Sequence, residues 1–285
     1  FRSAAVWPQA LRKEFNLGWG RGRVLAVEGL DLEVRRGEVF GLLGPNGSGK
    51  STAMKMILGL LRPTSGQAQV CGSRAGTLAA RRQIGFLPEN PYFPAFLSGA
   101  ELIRYYGQLS GLGGERLESK VQELLALVRL GGEAGRRPLR TYSKGMLQRA
   151  GLAGALVSDP EIVMLDEPTA GVDPSGSREI RDLIRELKER GKTVIFSSHL
   201  LEQVEDVADR VIILHRGQKL QEGRLDTLLT QTGEWQVRVR GLGVEQQKEL
   251  HTWLQQHGAE VMEEGAPRER LENYFLKTLA GKDGP

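Results

Sequence analysis

Gly44-Pro45-Asn46-Gly47-Ser48-Gly49-Lys50-Ser51-Thr52 fits the pattern G-x-x-x-x-G-K-[ST] in full. Such a loop serves one ligand class: glycines let successive backbone N–H groups close on phosphate oxygens with no Cβ in the way. Lys50 is spaced to reach the β- and γ-phosphates of a nucleotide, and the Ser51 hydroxyl to ligate Mg²⁺. The flanks agree with the motif. Val39-Phe40-Gly41-Leu42-Leu43 reads as a buried strand, and residues 50–61 read as a helix whose N-terminus faces the anion.

Short apolar runs recur between helical patterns, which predicts an α/β fold with helices packed on a parallel or mixed sheet. Ile162-Val163-Met164-Leu165 and Val194-Ile195-Phe196 read as fully buried central strands. Between them Ile180, Leu183, Ile184 and Leu187 make one apolar helix face. Asp173 and Pro174 start that helix as N-cap and N1, and Gly191 ends it. Asp166 and Glu167 follow the 162–165 strand directly and so project at the carboxyl edge of the sheet. Beside a phosphate loop, Asp166 is suited to hold Mg²⁺ through water and Glu167 to polarise the attacking water as general base.

Residues 98–158 read as a helical insertion between the two halves of this core. Ser98-x-x-Glu101 is a capping box ahead of Leu102, Ile103 and Tyr106, and a second helix runs through Leu117, Val121, Leu124, Leu125 and Val128 before Gly131-Gly132. After about residue 225 the pattern restarts: Trp235, Val237 and Val239 alternate as a strand, Leu250, Trp253 and Leu254 mark a helix, and Leu271, Tyr274, Phe275 and Leu279 another. Bulk properties narrow the class. No uncharged apolar run approaches the roughly 18 residues that cross a bilayer. Cys71 stands alone, which excludes an internal disulfide and suits a reducing cytoplasm, and the start at Phe1 reads as a lost initiator Met. The 39 basic and 35 acidic residues make a mixed solvated surface, and no nucleic-acid partner is expected.

Gly44–Ser51, Tyr142-Ser143-Lys144-Gly145-Met146, Ile162–Glu167, Ala170-Gly171-Val172-Asp173 and Ser198-His199 together resemble the ordered motifs of the ABC-transporter ATP-binding subunit, over about residues 10–225. The resemblance implies a P-loop ABC cassette (residues 1–225) with a mixed sheet core, a β subdomain and a helical subdomain at about 90–160, followed by a small α+β appendage at 226–285. It implies that ATP with Mg²⁺ is bound and hydrolysed, that two cassettes pair head to tail as a homodimer around two ATPs, and that a separate transmembrane permease subunit is driven from the cytoplasmic face of the inner membrane.

Residue by residue, Ser143 and the Gly145 backbone take the place of the signature loop that contacts the γ-phosphate held by the opposite subunit. Ser143 also reads as the cap of the helix through 147–156, whose positive end would face that anion. His199 matches the switch histidine beside Glu167 and the γ-phosphate. Asp173 matches the loop that communicates between the two ATP sites. Phe15 aligns with the aromatic that stacks on adenine, with Trp19 as its rival. Two departures stand out. Lys144 and Met146 replace the usual Gly and Gln, and Glu89 stands where Gln is usual in the loop at 87–93 that meets metal and membrane subunit. A carboxylate near phosphates needs Mg²⁺ or a proton to offset repulsion. Glu89 and Y-S-K-G-M resemble the branch serving ABC-2-type exporters, including drug-export and nitrous-oxide-reductase-maturation ATPases. The 268–276 segment is also similar to the tail of that branch. The prolines and aromatics of residues 88–96 read either as a docking groove for the permease or as local core. A soluble ABC ATPase of DNA repair or translation is the alternative, and would carry coiled-coil arms or a second cassette. A nucleotide-sensing module without hydrolysis would not need Glu167 and His199 together.

Overall fold

The computed structural model describes residues 4–16, 18, 22–230 and 241–261. The chain divides into two units, residues 1–229 and 230–285. In the first, β1 (Ala4–Asn16), β2 (Arg23–Leu30) and β3 (Val34–Arg35) precede β4 (Val39–Leu43) and α1 (Lys50–Ile57). Then come β5 (Ser65–Val70), β6 (Ser73–Arg74), α2 (Leu78–Arg81) and β7 (Ile84–Leu87). The helical stretch holds α3 (Gly99–Leu109), α4 (Gly114–Leu127), α5 (Glu133–Arg136) and α6 (Lys144–Leu156). The chain returns through β8 (Ile162–Leu165), α7 (Pro174–Glu189), β9 (Thr193–Ser198), α8 (Leu201–Val207), β10 (Arg210–His215), β11 (Gln218–Arg224) and α9 (Leu225–Leu229). In the second unit the described helix is α10 (Val244–Gln256), which carries Leu250, Trp253 and Leu254. The expected strand at Trp235, Val237 and Val239, the expected helix at Leu271–Leu279 and Trp19 lie outside the described residues.

Two sheets form. The mixed sheet runs β11-β10-β4-β9-β8-β7, parallel except for the antiparallel β10–β11 pair. The other is antiparallel, ordered β2-β1-β5-β6 with β3 also on β1. Both faces of the mixed sheet are covered, so its central strands are apolar at successive positions rather than alternating with polar ones. Val39, Val163, Leu165, Val194 and Phe196 enter a core shared with α3, α4, α6 and α7. Phe40, Leu42, Ile162, Met164 and Ile195 enter the opposite core, with Met54 and Ile57 of α1 and with Val6, Leu11 and Val70 of the antiparallel sheet. Each such side chain removed from water contributes roughly 1.5–3 kcal/mol, which is what fixes the strand order against slippage.

Register places the chemistry. Leu43 pairs with Ser198, Leu165 with Phe196, and Leu87 with Leu165, so β4, β9, β8 and β7 end along one edge. The loops that leave that edge begin with Gly44, His199, Asp166 and Pro88. The helix after the glycine loop is shorter than the 50–61 span expected. It stops at Ile57 because Gly59 turns to φ +69°, and the Leu60 and Leu61 N–H groups turn back onto Lys55 O. A Cβ on Gly59 would lie 2.1 Å from Gly76 Cα, so close backbone contact also requires that glycine.

Candidate active site

The glycine loop is shaped by contacts that leave no room for side chains. A Cβ on Gly44 would meet Leu214 O at 2.2 Å, and one on Gly49, at φ +104°, would meet Ala26 O at 2.5 Å. Gly47 takes φ +79° with open space around it. Pro45 O accepts from Ser48 N at 3.1 Å, and Gly49 O from Ala53 N at 2.8 Å, so the turn through Asn46 runs directly into α1 with Lys50, Ser51 and Thr52 in its first turn. Four N–H groups open each helix without helical partners, and here they open into the loop. Ser48 Oγ is buried with no hydrogen-bond partner in the chain.

Lys50 is 5% exposed, and its ammonium donates to Gly44 O at 2.7 Å and to Pro45 O at 3.3 Å. It also pairs with Glu167 Oε1 at 3.1 Å. That approach is off the line of a good hydrogen bond, so Oε1 keeps accepting capacity. The other carboxylate oxygen of Glu167 lies 2.8 Å from His199 Nδ1. A carboxylate only accepts, so Nδ1 carries the proton. Asp166 Oδ1 accepts from Ser51 Oγ at 2.9 Å and from Ser197 Oγ at 2.7 Å.

Ser197 is the residue that sequence reasoning missed. It is fully buried at the end of β9, two residues before His199, and the apolar run read as a strand stopped at Phe196. Its hydroxyl donates to Asp166 and accepts from the Glu167 N–H at 2.8 Å, so one side chain braces both acids. Glu167 needs the brace. Its φ is +47°, a left-handed backbone that non-glycine residues adopt at a cost of order 1–3 kcal/mol. A signal existed: two serines closing an otherwise apolar strand are an expensive choice unless they bond something buried.

The remaining predicted residues lie on other elements. Ser143 is exposed and caps α6, accepting from Met146 N at 3.3 Å. Gly145 is buried, and a Cβ there would come 3.0 Å from Val172 Cγ1. The Lys144 ammonium extends over Gly171, 2.8 Å from where a Cβ on that residue would stand. Asp173 caps α7 through Gly176 N at 2.9 Å. Phe15 is 38% exposed with the Lys13 ammonium 5.0 Å from its ring centroid. The Glu89 side chain is exposed, while its carbonyl is held by Gln148.

The donor set at the loop fits a small hard cation. Ser51 and Asp166 offer oxygen ligands, the kind Mg²⁺ takes alongside phosphate and water. Among the described residues no three of His, Cys, Asp or Glu gather as an all-protein cage, a pattern Mg²⁺ on a nucleotide does not require. Nor, among them, is any helix long and apolar enough to cross a membrane.

Comparison with known proteins gives a consistent answer. The family described as ABC transporter matches residues 27–170. The chain is 36% identical to an uncharacterised ABC transporter ATP-binding protein of Nostoc sp., over 98% of this chain and 91% of that one. It is 39% identical to a daunorubicin resistance ATP-binding protein of Streptomyces coeruleorubidus, over 73% of this chain and 66% of that one. A solved dimeric ATP-binding cassette in a post-hydrolysis state, bound to ADP and Pi, superposes with a TM-score of 0.70 at 26% identity, over 77% of this chain and 98% of that one.

Proposed function

This chain belongs to the ABC transporter family, and we propose that it works there as one of two identical subunits that close head to tail on ATP and drive a separate membrane-spanning permease. It is an ATP-binding subunit of that family and an ATPase. The hydrolytic part of this reading rests on the Glu167 carboxylate, shared between Lys50 at 3.1 Å and His199 at 2.8 Å and adjacent to the Asp166–Ser51 pair, and the pairing of subunits is supported by Ser143, which stands exposed at the end of α6.

In this reading Gly44, Pro45, Asn46, Gly47, Ser48, Gly49 and Thr52 wrap the phosphates with backbone N–H groups, and Lys50 turns its ammonium onto the β- and γ-oxygens. Ser51 and Asp166 would hold Mg²⁺, with Glu89 contributing from the neighbouring loop; the ion supplies charge neutralisation on the phosphates. Glu167 takes the proton of the attacking water. His199 keeps that carboxylate oriented through Nδ1–H, and Nε2 is left for the γ-phosphate. Phe15 stacks on adenine. Ser143 accepts from Met146 N and still has its own O–H to donate, which it offers with the Gly145 N–H to the γ-phosphate of the opposite subunit.

The permease would dock on the face beside β7, where a cavity of about 290 Å³ is lined by Leu87, Pro88, Pro91, Tyr92, Phe93 and Tyr106 among others. Tyr92, which lines it, is 95% exposed, and Phe96, four residues further along the chain, is 73% exposed, which supports a covered rather than a bare surface in the assembly. Export is supported by relatives named for daunorubicin resistance and Nod factor export, and in this reading it is driven from the cytoplasmic face of the inner membrane. Glu167→Gln tests the core of the proposal. It should bind ATP, hydrolyse it about 10²–10⁴-fold more slowly as expected for loss of a general base, and elute as a dimer with Mg·ATP. A variant that stays monomeric at high concentration, alone and with its permease, would refute the closing dimer.

A further inference from the structure

A buried polar chain runs beside the Glu167–His199 pair. Thr169 Oγ1 donates to Gln203 Oε1, and Gln203 Nε2 donates to Ser177 Oγ at 3.3 Å. The same serine hydroxyl accepts from Arg181 at 3.1 Å, and Arg181 closes the chain onto Asp206 at 3.1 Å. Thr169, Ser177 and Arg181 are 7%, 4% and 5% exposed. The chain therefore joins three elements through their interior: the segment after β8, helix α7 and helix α8. Apolar side chains would fill this space without taking a hydroxyl, an amide and a guanidinium out of water. What the polar chain adds is direction, because each bond is strong in one geometry only.

Both ends of the Gln203–Thr169 bond lie next to the chemistry. Thr169 is two residues past Glu167, and Pro168 fixes the backbone between them. Ala170 N donates to Glu167 O at 3.0 Å and Val172 N to Thr169 O at 3.1 Å, so this segment is stiff in itself. On the other side Gln203 stands about one helical turn beyond His199. Leu200 N donates to Ser198 Oγ at 3.0 Å, which ties the end of β9 to the start of α8. Val204 and Val207 seat α8 in the core. Apolar packing is non-directional, so it sets how deep the helix sits and not how far it slides along its neighbours. Gln203 supplies that missing constraint.

We propose that Gln203 is a positioning residue for hydrolysis: its amide fixes α8 against Thr169 and Ser177, so that His199 Nδ1 meets the Glu167 carboxylate. This rests on the roles given to Glu167 and His199 above and adds a residue that touches neither nucleotide nor water. Lys50 and Ser51 stand on α1, outside the polar chain. Loss of the amide therefore acts on the chemical step and spares nucleotide binding.

The test uses the full chain carrying Gln203→Leu, which removes both bonds at similar bulk. Its kcat should fall about 10- to 100-fold, the scale of a small misplacement at a reacting group, while ATP binding in chelator stays within about twofold. Proton NMR supplies a readout that a loss of stability alone would not move. The His199 Nδ1 proton, held by a carboxylate, should give a downfield ring N–H resonance that is absent from His199→Gln. In folded Gln203→Leu it should vanish or move upfield. An unmoved resonance, or a kcat within about twofold of the unsubstituted chain, overturns the proposal. If Gln203→Leu does not fold, Thr169→Val combined with Gln203→Leu removes both partners and leaves no stranded hydroxyl. That double variant should regain the melting temperature and stay slow, and full hydrolysis by it overturns the proposal. Full activity of His199→Gln would instead refute the role of the Glu167–His199 pair, and this proposal with it.

Discussion

Asp166 and Glu167 are gripped from several sides, whereas Ser143 and Lys144 stand exposed at the end of a helix. The acids are 4% and 7% exposed and share Lys50, Ser51, Ser197 and His199 as partners. Ser143 has one bond, at 3.3 Å, and Lys144 forms no ion pair or hydrogen bond among the described residues. The first cluster is complete within one chain. The second has donors to spare, which is what half of a shared site requires. The contrast predicts that mutations in the two clusters will divide between stability and activity in opposite ways.

The largest effect comes from complementation. Lys50→Ala removes the ammonium from the phosphate loop and Ser143→Arg blocks the helix end, and each homodimer should lose ATPase activity by two orders of magnitude or so, the scale of removing a charge-stabilising group. Mixed subunits leave one composite site carrying both defects and one carrying neither. ATPase activity should then return in part as the two variants are titrated together. Proven heterodimers with no recovery would place both clusters in the same site of the same chain, or couple the two sites obligately, and the contrast would lose its meaning.

A smaller effect compares two serines. Ser197→Ala strands the buried Glu167 N–H and removes one bond to Asp166, which should cost about 1–3 kcal/mol. In a domain of this size that lowers the melting temperature by roughly 2–4 °C per kcal/mol. Ser143→Ala loses an exposed helix cap worth about 1 kcal/mol, at the low end where the bond is long. Activity should run the other way in its concentration dependence. Ser197→Ala lowers kcat at every protein concentration, while Ser143→Ala fails chiefly where two subunits must meet. Thermal melts and ATPase rates across a dilution series measure both. Equal loss of melting temperature in the two variants would contradict the asymmetry.

The same asymmetry explains what could be read in the sequence. A phosphate loop announces itself because backbone geometry demands glycine at Gly44 and Gly49, and the apolar runs at 39–43 and 162–165 announce strands covered on both faces. Caps at Ser98, Ser143 and Asp173 were legible because capping is local. Long-range braces were not. Ser197 and Gln148 act through bonds to residues 30 and 59 positions away, and each looks like an ordinary polar residue in its own segment. The long strand β1 was also hidden from residue patterns. Register shifts near Leu11 and Lys13, and Ala10 at φ +46°, break the alternation that marks a strand. Only the family resemblance supplied that β subdomain.

The smallest effect concerns Glu89, which belongs to neither cluster. Its carbonyl is fixed by Gln148, so its side chain can be changed without releasing the loop. If its carboxylate joins the Mg²⁺ shell directly or through one water, Glu89→Gln removes one negative charge from that shell. A unit charge at such distances is worth on the order of 1 kcal/mol in well-solvated surroundings, or about fivefold in an equilibrium constant. The Mg²⁺ concentration that half-saturates hydrolysis should therefore rise about fivefold, while nucleotide binding without metal stays unchanged. The direction of the shift is diagnostic, because a carboxylate that merely repels the nearby phosphates would give the opposite result: its removal would tighten metal-free nucleotide binding and leave the Mg²⁺ midpoint in place. Titrations of ATPase rate against Mg²⁺, paired with binding of ATP in chelator, separate the two. Curves that overlay the unsubstituted protein in both experiments would remove Glu89 from the site and leave the loop with only its backbone role.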